Sequence, residues 1–157
     1  MKYIFSLLIV FAVATASGQD LRLSQLKSFI SQPVGSLSDS LTRSGWSVRP
    51  ELSASQGHQL YRTFSFGNLN EEQAKAIAWL RIHADYNRVN QLYYQLPGAA
   101  QYELLLKEIR EAGAEKKGIE SIEDKNINTY YVSEDYTFQT IVGAGNYTVM
   151  VMTNKSL

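Results

Sequence analysis

The sequence predicts an α+β fold, a tandem repeat of one helix plus three antiparallel strands with the helices packed on one face of the sheet. Three observations carry this expectation. Apolar residues recur at three- and four-residue spacing in 21–41 and again in 102–109, the period of a half-buried helix. Aromatic and β-branched residues crowd 58–66, 77–96 and 127–153, with Gly, Pro, Asn and Asp between the runs. A shift of 68 residues places Gly45 on Gly113, Leu37 on Leu105 and Leu41 on Ile109, and the same shift sets Arg62-Thr63-Phe64-Ser65 on Tyr130-Tyr131-Val132-Ser133.

Residues 1–18 read as a secretory signal peptide outside the fold. Lys2 gives the positive start, Tyr3 to Ala14 is apolar except for Ser6, and Ala14-Thr15-Ala16 or Ala16-Ser17-Gly18 fits a cleavage site. The apolar run is too short for a membrane-spanning helix, which needs roughly 20 residues. Leu23, Leu26 and Ile30 then open a helical stripe that continues through Leu37 and Leu41. Pro33 and Gly35 interrupt it, so a kink or two short helices follow, and Gly45 marks the stop. Trp46 and Val48 lead into a polar loop over 49–57.

The run 58–66 alternates aromatic and polar residues as a strand does, and Gly67-Asn68 closes it. A helical turn is expected at 70–75, then a hairpin pairing 77–84 with 89–96 around Asp85-Tyr86-Asn87. A single long helix from residue 71 is the alternative, because Ala74, Ala76 and Ala78 favour it. After Pro97-Gly98, Tyr102, Leu105, Leu106 and Ile109 form a second helical stripe that Gly113 stops. A charged loop over 114–125 precedes three strands at 127–133, 136–142 and 147–153, the last two joined by a Gly143-Ala144-Gly145-Asn146 turn. The chain thus divides into 1–18 signal peptide, 19–97 first helix-plus-meander repeat and 98–157 second repeat.

The order of elements over 21–154, with pieces such as Ala78-Trp79-Leu80 and Leu92-Tyr93-Tyr94-Gln95, resembles the beta-lactamase inhibitor protein fold. It is similar more loosely to the small outer-membrane assembly lipoprotein domain. The resemblance implies an exported, inhibitor-like bacterial protein that binds another protein. The chain departs from that family in having no cysteine, and no inhibitory residue carries over.

Composition narrows the chemistry. Fifteen basic residues balance fifteen acidic ones, so charge supplies no footprint for nucleic acid or an anionic membrane. The absence of cysteine excludes disulfides, thiol catalysis and thiolate metal sites. His58 and His83 are the only imidazoles, and they lack metal-ligand spacing, so no metal and no cofactor are expected. His83-Ala84-Asp85 sets a carboxylate near a histidine, which makes a small exported hydrolase using His83 one alternative. No G-x-S-x-G elbow accompanies it, and no catalytic residue is assigned.

Tyrosines are the informative feature. Tyr61, Tyr86, Tyr93, Tyr94, Tyr130, Tyr131, Tyr136 and Tyr147 lie on or beside predicted strands, and the adjacent pairs must point to opposite faces. Tyrosines mixed with Arg62, Arg81, Gln91, Gln95 and Gln139 suit a contact surface for another protein or a peptide. Trp79, Arg81, His83, Tyr93 and Gln95 are its candidate binding residues. The expected role is a non-catalytic binding protein, periplasmic or extracellular after signal removal, with no nucleic-acid partner and no transmembrane segment. A structural envelope subunit is a further alternative, because the charge-free last strand reads as a sheet edge.

Overall fold

The computed structural model describes residues 20–67, 76–121 and 126–155. The expected signal peptide and the expected turn at 70–75 lie outside them. Two short helices come first, α1 (Leu23–Phe29) and α2 (Val34–Arg43), separated at Pro33 as its missing N–H and fixed φ require. The first helix is held at its start from a distance: the Glu108 carboxylate accepts the Leu23 N–H at 2.8 Å and pairs with Arg22. The Gln25 side chain accepts the Arg22 N–H at 2.9 Å. The second helix stops at Gly45, whose φ of 87° is the left-handed conformation that ends helices without a Cβ penalty.

Strands β1 (Trp46–Val48), β2 (Ala54–Gln56) and β3 (Gln59–Phe66) follow. A 3-10 turn at Pro50–Leu52 lies between the first two. Then come the hairpin β4 (Ala78–Asp85) and β5 (Arg88–Leu96), helix α3 (Ala99–Glu111), and strands β6 (Glu115–Ser121), β7 (Ile127–Val132), β8 (Tyr136–Val142) and β9 (Tyr147–Thr153). The hairpin is the expected one, and no long helix replaces it. Its turn holds Tyr86 and Asn87 at positive φ, the geometry that matches the twist of paired strands.

The tandem repeat is not formed. All nine strands join one antiparallel sheet in the order β1-β3-β4-β5-β9-β8-β7-β6, with β2 pairing β3 beside β1. Instead of two units of a helix and three strands with helices laid on them, two helices and five strands are followed by one helix and four strands. The reason lies in register. The shift of 68 superposes buried helix positions, but it sets Phe64, which faces the core, on Val132, which pairs with Thr137 on the opposite face. Two strands matched one residue out of phase present opposite faces, so the match does not describe a structural repeat.

Three further expectations change. The polar loop 49–57 contains β2, and β1 precedes it. The charged loop 114–125 contains β6. The last strand, read as an exposed edge, lies between β5 and β8 in the middle of the sheet. The true edges are the interrupted β1–β2 line and the Lys- and Glu-bearing β6, which suit an edge that must not recruit another strand.

Pairing registers define the two faces. On the inner face run Ile82, Leu92, Val151, Phe138 and Tyr131, then Phe64, Leu80, Tyr94, Val149 and Thr140. These side chains and Leu26, Leu37, Leu41, Leu105 and Ile109 of the helices belong to one buried cluster, apart from Thr140, which is buried beside it. Tyr102 of α3 stacks on Tyr147 of β9 with ring centroids 5.2 Å apart. The paired tyrosines divide as strand geometry demands: Tyr94 and Tyr131 are buried, while Tyr93 and Tyr130 are half-buried on the other face. Among the described residues no helix is long and apolar enough to cross a membrane.

Candidate functional site

The outer face carries three cross-strand rows. The first runs Tyr61, His83, Gln91 and Met152; the second Thr63, Arg81, Tyr93 and Met150; the third Ser65, Trp79, Gln95 and Thr148. Alternation places Trp79, Arg81 and His83 of β4 on this side because Ala78, Leu80, Ile82 and Ala84 are buried on the other. Tyr93 and Gln95 of β5 follow by the same parity, with Leu92, Tyr94 and Leu96 inward.

All five candidate residues line one concavity of about 540 Å³, together with Leu52, Thr63 and Thr148. One wall comes from the interrupted edge. Between β1 and β2 the chain leaves the sheet, and the Thr63 hydroxyl donates to the Leu52 carbonyl at 2.7 Å while the Thr63 N–H donates to Ser53 Oγ at 3.1 Å. These bonds hold Leu52 over the outer row. Leu52, Thr63 and Thr148 escape a reading of local pattern, since the first arrives on a loop and the others by strand register. Tyr61, a strand tyrosine by its sequence pattern, lies beside His83.

Arg62 and Gln139 part company with the expected surface in different ways. Arg62 lies on the inner side of β3 and donates to Ser38 Oγ of α2 at 2.9 Å. Gln139 stays on the outer face opposite Met150 and Tyr130, outside the concavity. Gln91 donates to the Tyr93 hydroxyl at 2.7 Å and so fixes the rim of the concavity.

Among the described lining residues Arg81 is the one permanent charge, and none is Asp or Glu. Its Nε donates to Thr63 Oγ1 at 3.1 Å. Among the described residues it forms no ion pair, although Arg49 near the same rim is bonded to Glu51 at 2.7 Å. The Arg49 guanidinium also lies 5.9 Å from the centre of the Trp79 ring, which braces that indole.

His83 sits between two rings, 4.5 Å from the centre of Tyr61 edge-on and 5.0 Å from Tyr93. Burial among them lowers its pKa below the usual 6.5, and the positive charge of Arg81 adds to the effect. Neutral His83 is therefore the folded form, and the unfolded chain takes up the proton first as pH falls below 6.5. Stability contributed at this position is complete above that value and declines below it. Replacing His83 with Gln is expected to flatten the loss of stability between neutral pH and pH about 5, measured as the denaturant midpoint against pH. Identical pH profiles for the two proteins would contradict the burial of this imidazole.

Among the described residues, His83 as a catalytic base has no carboxylate partner. Asp85 lies beside His58, with Asp85 Oδ1 3.4 Å from His58 Nε2, and His58 stacks on Tyr86 at 4.6 Å. Among the described residues no carboxylate bonds to His83, and no three His, Asp or Glu side chains gather as a metal set. What the arrangement offers is an aromatic wall, two amide or hydroxyl partners and one guanidinium in a shallow basin. No family model, curated protein or solved structure matches this chain.

Proposed function

We propose that this chain is an exported, non-catalytic binding protein that takes a peptide segment of another protein on the outer face of its sheet. One observation carries the reading: Trp79, Arg81, His83, Tyr93 and Gln95 line a single concavity with no carboxylate among its described walls. Its volume of about 540 Å³ falls within the roughly 300–1,000 Å³ of ligand sites. Tryptophan, tyrosine and arginine are the side chains that dominate binding energy at protein surfaces: the two aromatics bury large areas while losing few rotamers, and arginine adds a planar, multiply donating charge. Export to the periplasm or the medium rests on the leader pattern of residues 1–18, where Lys2, the apolar run and the small residues stand in the required order.

Selection from a displayed random-peptide library, followed by titration calorimetry, tests the reading. Trp79→Ala and Tyr93→Ala are each expected to weaken the selected peptides at least about tenfold, the size of a modest hot spot. Both side chains are only half-buried, so the variants should melt close to the parent protein. Unchanged affinity in both variants would show that the selected peptides bind elsewhere.

A further inference from the structure

Building on the binding site just described, we infer that the concavity reads the free C-terminal carboxylate of an extended peptide whose last side chain is aromatic or aliphatic. Charge complementarity is the starting point. Among the described residues Arg81 stands on a wall without carboxylates and forms no ion pair, whereas Arg49 near the same rim meets Glu51. Thr63 holds its Nε, and Thr63 is itself anchored to the Leu52 carbonyl. The guanidinium is therefore aimed before a ligand arrives, with its two terminal nitrogens unbonded among the described residues. A planar fork of this kind matches a carboxylate through paired hydrogen bonds.

The neighbours of Arg81 specify the rest of the ligand. Tyr93 lies directly across from it, and Trp79 and His83 flank it two positions away on the same strand. Such pairs stand roughly 4.5–7 Å apart between their α or β carbons. An anion bound at Arg81 thus has aromatic surface within the span of a single residue. A C-terminal residue carries its carboxylate and its side chain on the same α carbon, and so fits both at once. An internal Asp or Glu uses its side chain for the anion, its adjacent neighbours point to the opposite side, and the next side chain on the same face stands two residues along. Tyr93, directly across from Arg81, would then meet no apolar side chain of the residue that carries the anion. Gln95 and Thr148 supply hydrogen-bonding groups beside the same basin for the peptide backbone.

Three pools of synthetic tetrapeptides, titrated against the protein by Trp79 fluorescence and calorimetry, decide the matter. The first pool has free C-terminal carboxylates and no Asp or Glu; the second is the same set amidated. The third is amidated with Glu at the last position. The free-acid pool is expected to bind at least about tenfold more tightly than either amidated pool. Arg81→Gln should bring the free acids down to the level of the amides, while Arg81→Lys keeps part of the difference. Equal binding of acids and amides, both lost in Trp79→Ala, would overturn the carboxylate assignment and leave the peptide-binding face standing. Equal binding of the Glu-terminated amides would overturn the terminal assignment. If no pool binds while longer displayed peptides bind through Trp79, the inference fails alone; if those fail as well, both readings fall.

Discussion

Leu92→Ala is expected to lower the stability of the whole molecule by about 2–5 kcal/mol and to do so in a single transition. Leu92 is fully buried on the inner face of β5, with Ile82 of β4 on one side and Val151 of β9 on the other. Removing three carbons there forfeits transfer free energy and leaves a cavity that two flanking strands cannot close. The position also decides an architectural question, because β5–β9 is the seam between the two halves of the chain. In one continuous sheet, damage at the seam reaches both halves. Circular dichroism, which reports all strands, and tryptophan fluorescence, which reports Trp46 and Trp79, should shift together. A second transition that stays at the parent midpoint would mean that residues after β5 fold as an independent unit.

Alkaline pH is expected to destabilise the protein through Tyr94. Its hydroxyl is buried on the inner face, and burial pushes its pKa up from 10 to about 12 against a smaller opposing effect from a backbone hydrogen bond with Leu21. The ring lies edge-on to Trp46 with centroids 6.3 Å apart, so the phenolate would have to form inside the core. The folded protein keeps this proton while the unfolded chain releases it above pH 10. Stability linked to Tyr94 is therefore intact below pH 10 and is lost as pH rises toward 12. Two units of displacement amount to roughly 3 kcal/mol. Tyr94→Phe removes this contribution, so the parent protein should lose more stability than the variant between pH 9 and pH about 11.5, read from denaturant midpoints. Parallel losses would place the Tyr94 hydroxyl in contact with water.

The parts of this fold that were legible in the sequence are those set by local physics. Helical stripes ending at Gly45 and Gly113 became α2 and α3, and both glycines adopt the positive φ that their position as stops requires. The alternation in 77–96 became the hairpin, since a period of two cannot bury one side of a helix. Glu115, Lys116 and Lys117 are poor strand formers, so β6 has the pattern of a loop, yet such residues are what an unpaired edge carries. Strands β1 and β2 span three residues each, too few to show a period. The order of strands across the seam was not legible either, because the β5–β9 pairing joins residues far apart in sequence and leaves no local pattern.

The site divides along the same line. Trp79, Arg81 and His83 share a face by parity alone, as do Tyr93 and Gln95, and the pairing of Arg81 with Tyr93 brings the two sets together. The side of β3 that the helices cover leaves no mark at Arg62 in the sequence, so its pattern alone places it on that face. Phe64, two residues along, is in the core and takes Arg62 with it toward Ser38. Thr63, the residue that aims Arg81, is an unremarkable threonine until the register sets it opposite the guanidinium.

Amide NMR of the protein titrated with a selected peptide addresses the binding face most directly. Shift changes are expected to concentrate at Trp79, Arg81, His83, Gln91, Tyr93, Gln95 and Thr148, the outward positions of the three strands that floor the concavity. Changes confined instead to β6 or to the β1–β2 line would show a ligand added to a sheet edge and would contradict the concave face as the site of binding.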